Sequence, residues 1–157
     1  MTVDVPGVVT HAPEFVAAYN ALVTGVSPAA VRLMSVHLGA TAFTSGNLEA
    51  ALSALAPRWE PRDGGFTAIQ PYKVEGVSGE GARFSLDLEL AVDYTSSQSM
   101  TNELFAVFAQ TNLPLNVHPF LRETIANLTM RAGWPPLILP AFVKPGKGAT
   151  PTAEGKP

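Results

Sequence analysis

The sequence contains no cysteine and only three histidines in 157 residues. Without cysteine the chain has no disulfides, thiolate metal ligands or cysteine nucleophiles. The three histidines, His11, His37 and His118, lie far apart in sequence, and no pair has the spacing of a metal site. We therefore expect neither a bound metal nor another cofactor.

Charged residues are also scarce, at 15% of the chain, and the net charge is −3. Proteins that bind nucleic acid normally carry a basic face, so nucleic acid is not an expected partner. No Lys or Arg precedes Arg32, and Pro6 and Pro13 interrupt the N-terminal segment, so we predict no signal peptide. No apolar run reaches the roughly 18 to 20 residues that span a bilayer. We expect a cytoplasmic protein without membrane insertion.

Hydrophobic residues make up 46% of the sequence, which is enough to build the core of one domain at this length. We predict a single domain over residues 1–143. In residues 144–157 the composition changes to Pro, Gly, Thr, Ala and Lys. Such a segment buries too little apolar surface to fold alone, so we predict a flexible tail.

Alternation of apolar and polar residues predicts an antiparallel sheet. The clearest strand runs from Ala82 to Tyr94, where every second residue is apolar, as in a sheet with one buried face. A glycine-rich turn joins it to a preceding strand, from Phe66 to Glu75. An earlier strand, Val31 to Phe43, changes register near Met34 or Ser35, which predicts a β-bulge.

A fourth strand is predicted for Glu103 to Thr111, which is apolar on both sides. Helical spacing predicts two short helices, Pro13 to Val23 and Leu48 to Ala56. A longer helix is predicted to begin near Pro119, a residue suited to a first helical turn, and to end before Gly133. Together these elements predict an α+β fold: a four-stranded antiparallel sheet with a long C-terminal helix packed on one face and a short N-terminal helix.

The predicted helix and its flanking residues form an ordered motif. It reads N-x-x-P-[FY]-x-R-E, then the helix, then Gly with an aromatic residue, then P-x-L-x-L-[AP]. This order resembles that of the SecB family of protein-export chaperones. The residues that carry the resemblance are Asn116, Pro119, Phe120, Arg122, Glu123, Gly133, Trp134, Pro136, Leu137, Leu139 and Pro140.

The resemblance implies a SecB-like holdase that binds unfolded or precursor polypeptides without ATP, with protein export as one use. Family members assemble as a dimer of dimers through edge strands and the main helix. The implied partners are non-native polypeptides and either the translocase motor SecA or an antitoxin-like client. The acidic residues with which the family docks SecA are absent from Val36 to Ala40, so the choice between these partners stays open. A dedicated assembly module with the same fold is the alternative.

No set of side chains predicts catalysis, so we do not expect an enzyme. Asp87, Glu89 and Asp93 share one strand face, which we interpret as a solvated acidic surface. Large apolar side chains outside the predicted elements or at their ends indicate a polypeptide-binding surface instead. They are Phe43, Trp59, Phe66, Trp134, Leu137, Ile138 and Leu139.

The prolines between Trp134 and Pro140 bar that segment from a helix and from a central strand. It is therefore predicted to run extended. Either it covers part of the core, or it forms the lip of a binding groove.

Overall fold

A computed structural model describes residues 12–141. In chain order these residues form a short helix, five strands and a long helix. His11 and the predicted tail, residues 144–157, lie outside this range. The elements are α1 (Pro13–Gly25), β1 (Val26–Ala40), β2 (Leu48–Ala54), β3 (Arg58–Arg62), β4 (Gly65–Ser78), β5 (Arg83–Ser96) and α2 (Asn102–Arg131).

The five strands form one antiparallel sheet in the order β1-β5-β4-β2, with β3 also paired to β4. β2 pairs with residues 72–78 of β4, and β3 pairs with residues 65–69. These two strands are therefore successive pieces of one edge, interrupted at residues 55–57. The sheet is four positions wide, but β2 and β3 fill the position that was predicted for a strand at 103–111, and β1 forms the other edge.

One face of the sheet carries the core. Along β5 the side chains of alternate residues from Phe84 to Tyr94 are buried, and α2 packs on them. The ring of Phe108 in α2 lies 5.4 Å from that of Phe66 and 5.1 Å from that of Tyr94. Leu22 of α1 is fully buried in the same cluster. The predicted α+β arrangement, with helices on one sheet face, is confirmed.

The opposite face of the sheet carries charged side chains around the buried Ile69 and Ala91. Asp93 lies 3.4 Å from a guanidinium nitrogen of Arg32 and 3.3 Å from one of Arg62. Glu89 lies 2.7 Å from a guanidinium nitrogen of Arg58. Two of the three acidic residues that we interpreted as an acidic surface are thus neutralised by arginines, which leaves this part of the face balanced in charge.

Helix α2 begins at Asn102, so the prediction of a strand at 103–111 is wrong. The hydroxyl of Thr101 caps the helix by accepting a hydrogen bond of 3.2 Å from the backbone N–H of Leu104. Leu104, Phe105 and Phe108 are buried and have helical spacing, a signal that could have identified the helix from the sequence.

Pro119 does not start a helix, because it lies with Pro114 inside the 30 residues of α2. Each internal proline removes a helical hydrogen bond and costs about 3 kcal/mol or more. Burial of a large apolar side chain contributes about 1.5–3 kcal/mol. Four side chains spaced by four residues offset the prolines: Leu113, Val117, Leu121 and Ile125 are all buried.

The predicted helix at Leu48 to Ala56 is also wrong, because most of it forms β2. Its residues pair with β4 in unbroken register from Leu48 opposite Ser78 to Ala54 opposite Tyr72. Alanine and leucine favour a helix locally, but the backbone partners offered by β4 override that preference. Trp59, which we placed outside the predicted elements, lies in β3.

Other local predictions are confirmed. β1 changes register between Leu33 and Ser35, where the β-bulge was expected. α2 ends as predicted, since Gly133 adopts a φ of 78°. The N–H of Trp134 bonds to the carbonyl of Thr129 at 3.0 Å and that of Gly133 to the carbonyl of Met130 at 3.0 Å, which is a Schellman cap.

We predict that Asp93→Asn destabilises the protein at neutral pH and much less in acid. A hydrogen bond from Thr67, and then one from Arg32, lowers the pKa of Asp93 below its ordinary value of 3.8. A lowered folded-state pKa adds stability above the unfolded-state pKa, and this stability is lost as the pH falls through the folded-state value. Thermal unfolding at pH 7 should show a loss of a few degrees, which shrinks as the pH falls below 4.

Asp87→Asn is the matched control for this prediction. Asp87 lies on the same strand, and within residues 12–141 it forms no ion pair. Its substitution should change the melting temperature little. Equal losses for the two variants would contradict a specific contribution of Asp93.

Candidate polypeptide-binding site

The seven predicted binding residues lie at opposite ends of β5. Trp134 packs on Phe84 near the start of the strand, with ring centroids 5.0 Å apart. Phe66 packs on Tyr94 near its end, at 4.9 Å. Phe43 and the segment after α2 belong to the first group, and Trp59 belongs to the second. The sequence prediction therefore combined two separate regions.

Residues Trp134–Ala141 form an extended segment without helix or strand, which we call the strap. Trp134 is buried, lies 5.1 Å from the ring of Phe43, and donates a hydrogen bond of 3.0 Å from Nε1 to the carbonyl of Thr41. Leu139 is buried as well, whereas Ile138 is 63% exposed. The strap thus covers the core and also presents an apolar side chain at the surface.

Side chains of α2 hold the backbone of the strap. Thr129 Oγ1 accepts a hydrogen bond of 3.0 Å from the N–H of Leu137. Arg122 Nε donates to the carbonyl of Leu139 at 2.8 Å, and His118 Nε2 donates to the carbonyl of Pro140 at 2.8 Å. The strap therefore runs antiparallel to α2.

At the other end of β5, Phe66 is a core residue and not part of an exposed surface. It is 1% exposed because it faces α2 at the start of β4. Trp59 is only partly buried, lies 6.4 Å from the ring of Phe105, and donates to Asn102 Oδ1 at 2.9 Å. Of these two aromatic residues, only Trp59 reaches the surface.

Beside Trp59 lies a concave site that the sequence analysis missed, which we call the edge groove. It has a volume of about 560 Å³ and lies between the β2–β3 connection and the first half of α2. Because both bordering segments were assigned to the wrong secondary structure, no groove could be expected there. Its apolar lining residues are Ala54, Leu55, Ala56, Pro57, Phe105, Ala106 and Ala109.

Gln70 maintains the break between β2 and β3 that opens the edge groove. It lies on β4 between the residues paired with β3, which end at Ile69, and those paired with β2, which begin at Tyr72. Its side-chain nitrogen donates to the carbonyl of Leu55 at 2.7 Å and to that of Pro71 at 2.9 Å. A side chain thus satisfies a carbonyl at a point where the strand ladder is interrupted.

The edge groove adjoins the outer edge of β2, with which no strand of residues 12–141 pairs. Leu52 is 40% exposed and Leu55 is 48% exposed along this edge. An unpaired strand edge offers backbone hydrogen bonds to an extended peptide, and a neighbouring apolar groove accepts its side chains. This arrangement can bind an extended polypeptide.

No group of three or more His, Asp or Glu side chains able to hold a metal ion occurs within residues 12–141. None of the helices described for these residues is long and apolar enough to cross a membrane.

The fold is that of the SecB-like chaperones. A solved structure of the Mycobacterium tuberculosis SecB-like chaperone Rv1957, in complex with a ChAD peptide from the Rv1956 HigA1 antitoxin, matches it with a TM-score of 0.71. The two sequences are 18% identical, and the match covers 85% of this chain and 99% of that chain. No family model matches the chain, nor does any curated protein sequence. The fold predicted from the sequence motif is confirmed.

We predict that Gln70→Leu destabilises the protein by about 1–3 kcal/mol, because it leaves the carbonyl of Leu55 without its donor. The loss should be concentrated at the β2–β3 connection. Urea unfolding measures the free energy of unfolding, and hydrogen exchange locates the loosened backbone.

Gln110→Leu is the control, since Gln110 lies at the rim of the same groove with an exposed side chain. It should leave both measurements nearly unchanged. A stable Gln70→Leu variant with normal hydrogen exchange at the amides of Leu55 and Ala56 would show that Gln70 does not maintain the break.

Proposed function

We propose that the protein is a SecB-like holdase that binds extended apolar segments of non-native polypeptides without ATP. The observation that carries this proposal is the edge groove, an apolar concavity beside an unpaired strand edge in a SecB-like fold. The proposal involves binding alone, with no chemical reaction, and places the protein in the cytoplasm.

The chemistry of the edge groove suits clients of varied sequence. Its walls are mainly alanine, leucine, proline and one phenylalanine, which make contacts of low specificity. Backbone pairing at β2 would be equally independent of the client side chains. Affinity would then come from the sum of many weak contacts rather than from one fixed set of polar partners.

Of the other predicted binding residues, Trp59, Phe43 and Ile138 retain surface that a client could contact. Phe66, Trp134 and Leu139 are buried, so they would support such a surface from below. Leu137 is half-buried in the strap. Their participation in client binding stays a prediction.

A dedicated partner is the second candidate function, and the comparison with Rv1957 favours it, since that protein was solved with an antitoxin peptide. An antitoxin-like client would use the same edge groove. Delivery to SecA for export has less support, because the acidic residues Glu89 and Asp93 are paired with arginines.

We further propose that β1 pairs with a second copy of the chain. Leu33, Met34 and Val36 are each 43–44% exposed along this edge, with which no strand of residues 12–141 pairs. Apolar side chains on an open strand edge are normally covered by another chain. The dimer of dimers implied by the SecB resemblance would use this contact.

The holdase proposal predicts that the wild type suppresses aggregation of an unrelated denatured protein at stoichiometric ratios without ATP. Ala106→Glu places a carboxylate in the edge groove at an exposed helical position, so it should abolish most of the protection without unfolding the protein. Light scattering measures the aggregation, and circular dichroism confirms the fold.

Ala18→Glu is the matched control, since it makes the same change at an exposed position of α1. It should protect as the wild type does. If the Ala106→Glu variant still suppresses aggregation, the edge groove is excluded as the binding site. A wild type that protects nothing would rule out a general holdase and favour a dedicated partner.

The self-association proposal predicts that Val36→Lys lowers the mass of the assembly. A lysine in place of an apolar side chain on an open strand edge disfavours pairing with another strand. Light scattering after gel filtration should show a shift toward the 16.5 kDa of one chain. Leu52→Lys, on the opposite sheet edge, should leave the mass unchanged, and equal effects of the two variants would contradict pairing through β1.

A further inference from the structure

The strap leads toward the edge groove. Successive strap residues bond to α2 side chains that lie progressively closer to the helix N-terminus: first Thr129, then Arg122, then His118. The edge groove begins beyond them, at Gln110 and Ala109. A chain that continues in the direction of the strap therefore approaches the edge groove.

The strap and the edge groove lie on the same flank of α2. Each residue of an α-helix is rotated by about 100° from the one before it. Arg122, which binds the strap, follows the buried Leu121 by one position. Ala106, in the wall of the groove, likewise follows the buried Phe105. The same rotation therefore places both on one side of the buried stripe.

Helix α1 packs on the other flank of α2. Asn112 precedes the buried Leu113 by one position, and its Oδ1 accepts a hydrogen bond of 3.5 Å from the hydroxyl of Tyr19. Because the step from the buried residue has the opposite sign, Asn112 lies across the helix from the strap. α1 therefore does not separate the strap from the edge groove.

The residues that follow the strap are sufficient in number to reach the groove. Ala109 lies nine residues before His118 in α2, which is about 13 Å at the helical rise. Pro140 bonds to His118 through its carbonyl, and Lys144 follows four residues later. Four extended residues span about 13 Å. The near end of the groove is thus within reach of residues 142–144.

The first of these residues match the apolar lining of the groove. The sequence continues with Phe142 and Val143, and Pro145 follows. The groove is lined mainly by alanine, leucine and proline, with Phe105. Proline favours an extended chain and has no N–H that would require a partner there. Residues 144–157 contain no large apolar side chain, so the match is confined to the start of the segment.

A carboxylate lies at the far end of the groove. Glu103, in the first turn of α2, forms no ion pair within residues 12–141. It lies fifteen residues before His118, about 22 Å along the helix. The seven residues from Pro140 to Lys147 span about 23 Å when extended. An extended segment would therefore bring a lysine opposite this carboxylate.

We propose that residues 142–147 continue along α2 and occupy the edge groove when no client is bound. Phe142 and Val143 fill its near end, and Lys147 pairs with Glu103 at its far end. A tethered occupant has an effective concentration of millimolar order, so a client must displace it. This regulatory role rests on the proposed function, whereas the contact itself does not.

A single spin label on the full chain tests the contact. The sequence has no cysteine, so Ala149→Cys carries a nitroxide at one position only. We expect the label to broaden the amide NMR signals at the far end of the groove, near Glu103, and not that of Ala18 in α1. Phe142→Ser combined with Val143→Ser removes the apolar anchors and should reverse most of the broadening.

The charge contact has its own matched pair of variants. Glu103→Gln should reduce the broadening and its sensitivity to salt, because it removes the carboxylate that pairs with Lys147. Glu123→Gln makes the same change at an exposed position in the second half of α2 and should alter neither.

The effect on binding is measured with a fluorescently labelled peptide of sequence AFVKPGK, which corresponds to residues 141–147. The double variant Phe142→Ser, Val143→Ser should bind this peptide several-fold more tightly than the wild type, because its own segment no longer competes. Equal affinities would contradict the role of the segment as a competitor.

Broadening that is absent from the groove, or that survives loss of the apolar anchors, would overturn the proposal. Mixing spin-labelled chains with isotope-enriched chains that carry no label separates contact within one chain from contact between copies. Broadening in the enriched chains would also overturn it, since the occupant would then belong to a second copy.

Failure of this proposal and failure of the holdase proposal give different results. If Ala106→Glu abolishes the suppression of aggregation but the label does not contact the groove, the segment is not its occupant and the holdase proposal stands. If the label contacts the groove of a wild type that protects nothing, the occupant is confirmed and the holdase proposal fails.

Discussion

The structure depends on the packing of α2 against the inner face of β4 and β5. Phe108 meets Phe66 and Tyr94 edge-on, an arrangement that aromatic rings favour and that fixes how the helix lies on the sheet. The first half of α2 then forms one wall of the edge groove through Phe105 and Ala106, and the second half holds the strap through Arg122. One helix thus supports both the edge groove and the strap.

Local signals in the sequence predicted the elements whose ends or faces are determined locally. The alternation along β5 and the stop at Gly133 were read correctly because they reflect a solvated sheet face and a glycine with positive φ. The strand predicted at 103–111 and the helix predicted at 48–56 failed for different reasons. In the first, apolar residues on both sides were taken for a buried strand although Leu104, Phe105 and Phe108 have helical spacing. The state of the second depends on a partner distant in sequence, the edge of β4 with which it pairs.

The candidate site was harder to predict than the fold. Phe66 and Trp134 were predicted to lie on the binding surface, yet large aromatic residues bury the most area and both lie in the core. The edge groove is lined mainly by alanine, leucine and proline, which give no periodic signal, and it exists only where α2 meets the β2–β3 connection. The SecB-like motif supplied the fold class because it spans the helix cap and strap as one ordered unit, which single residues could not do.

The interruption between β2 and β3 divides this sheet edge into two short pieces. β2 offers seven residues for pairing before the ladder ends ahead of Pro57, which cannot donate a hydrogen bond. A continuous apolar edge would act as a template for extended aggregates. A polypeptide bound at β2 as proposed would therefore pair over a short segment, and its release would require the loss of only a few backbone hydrogen bonds.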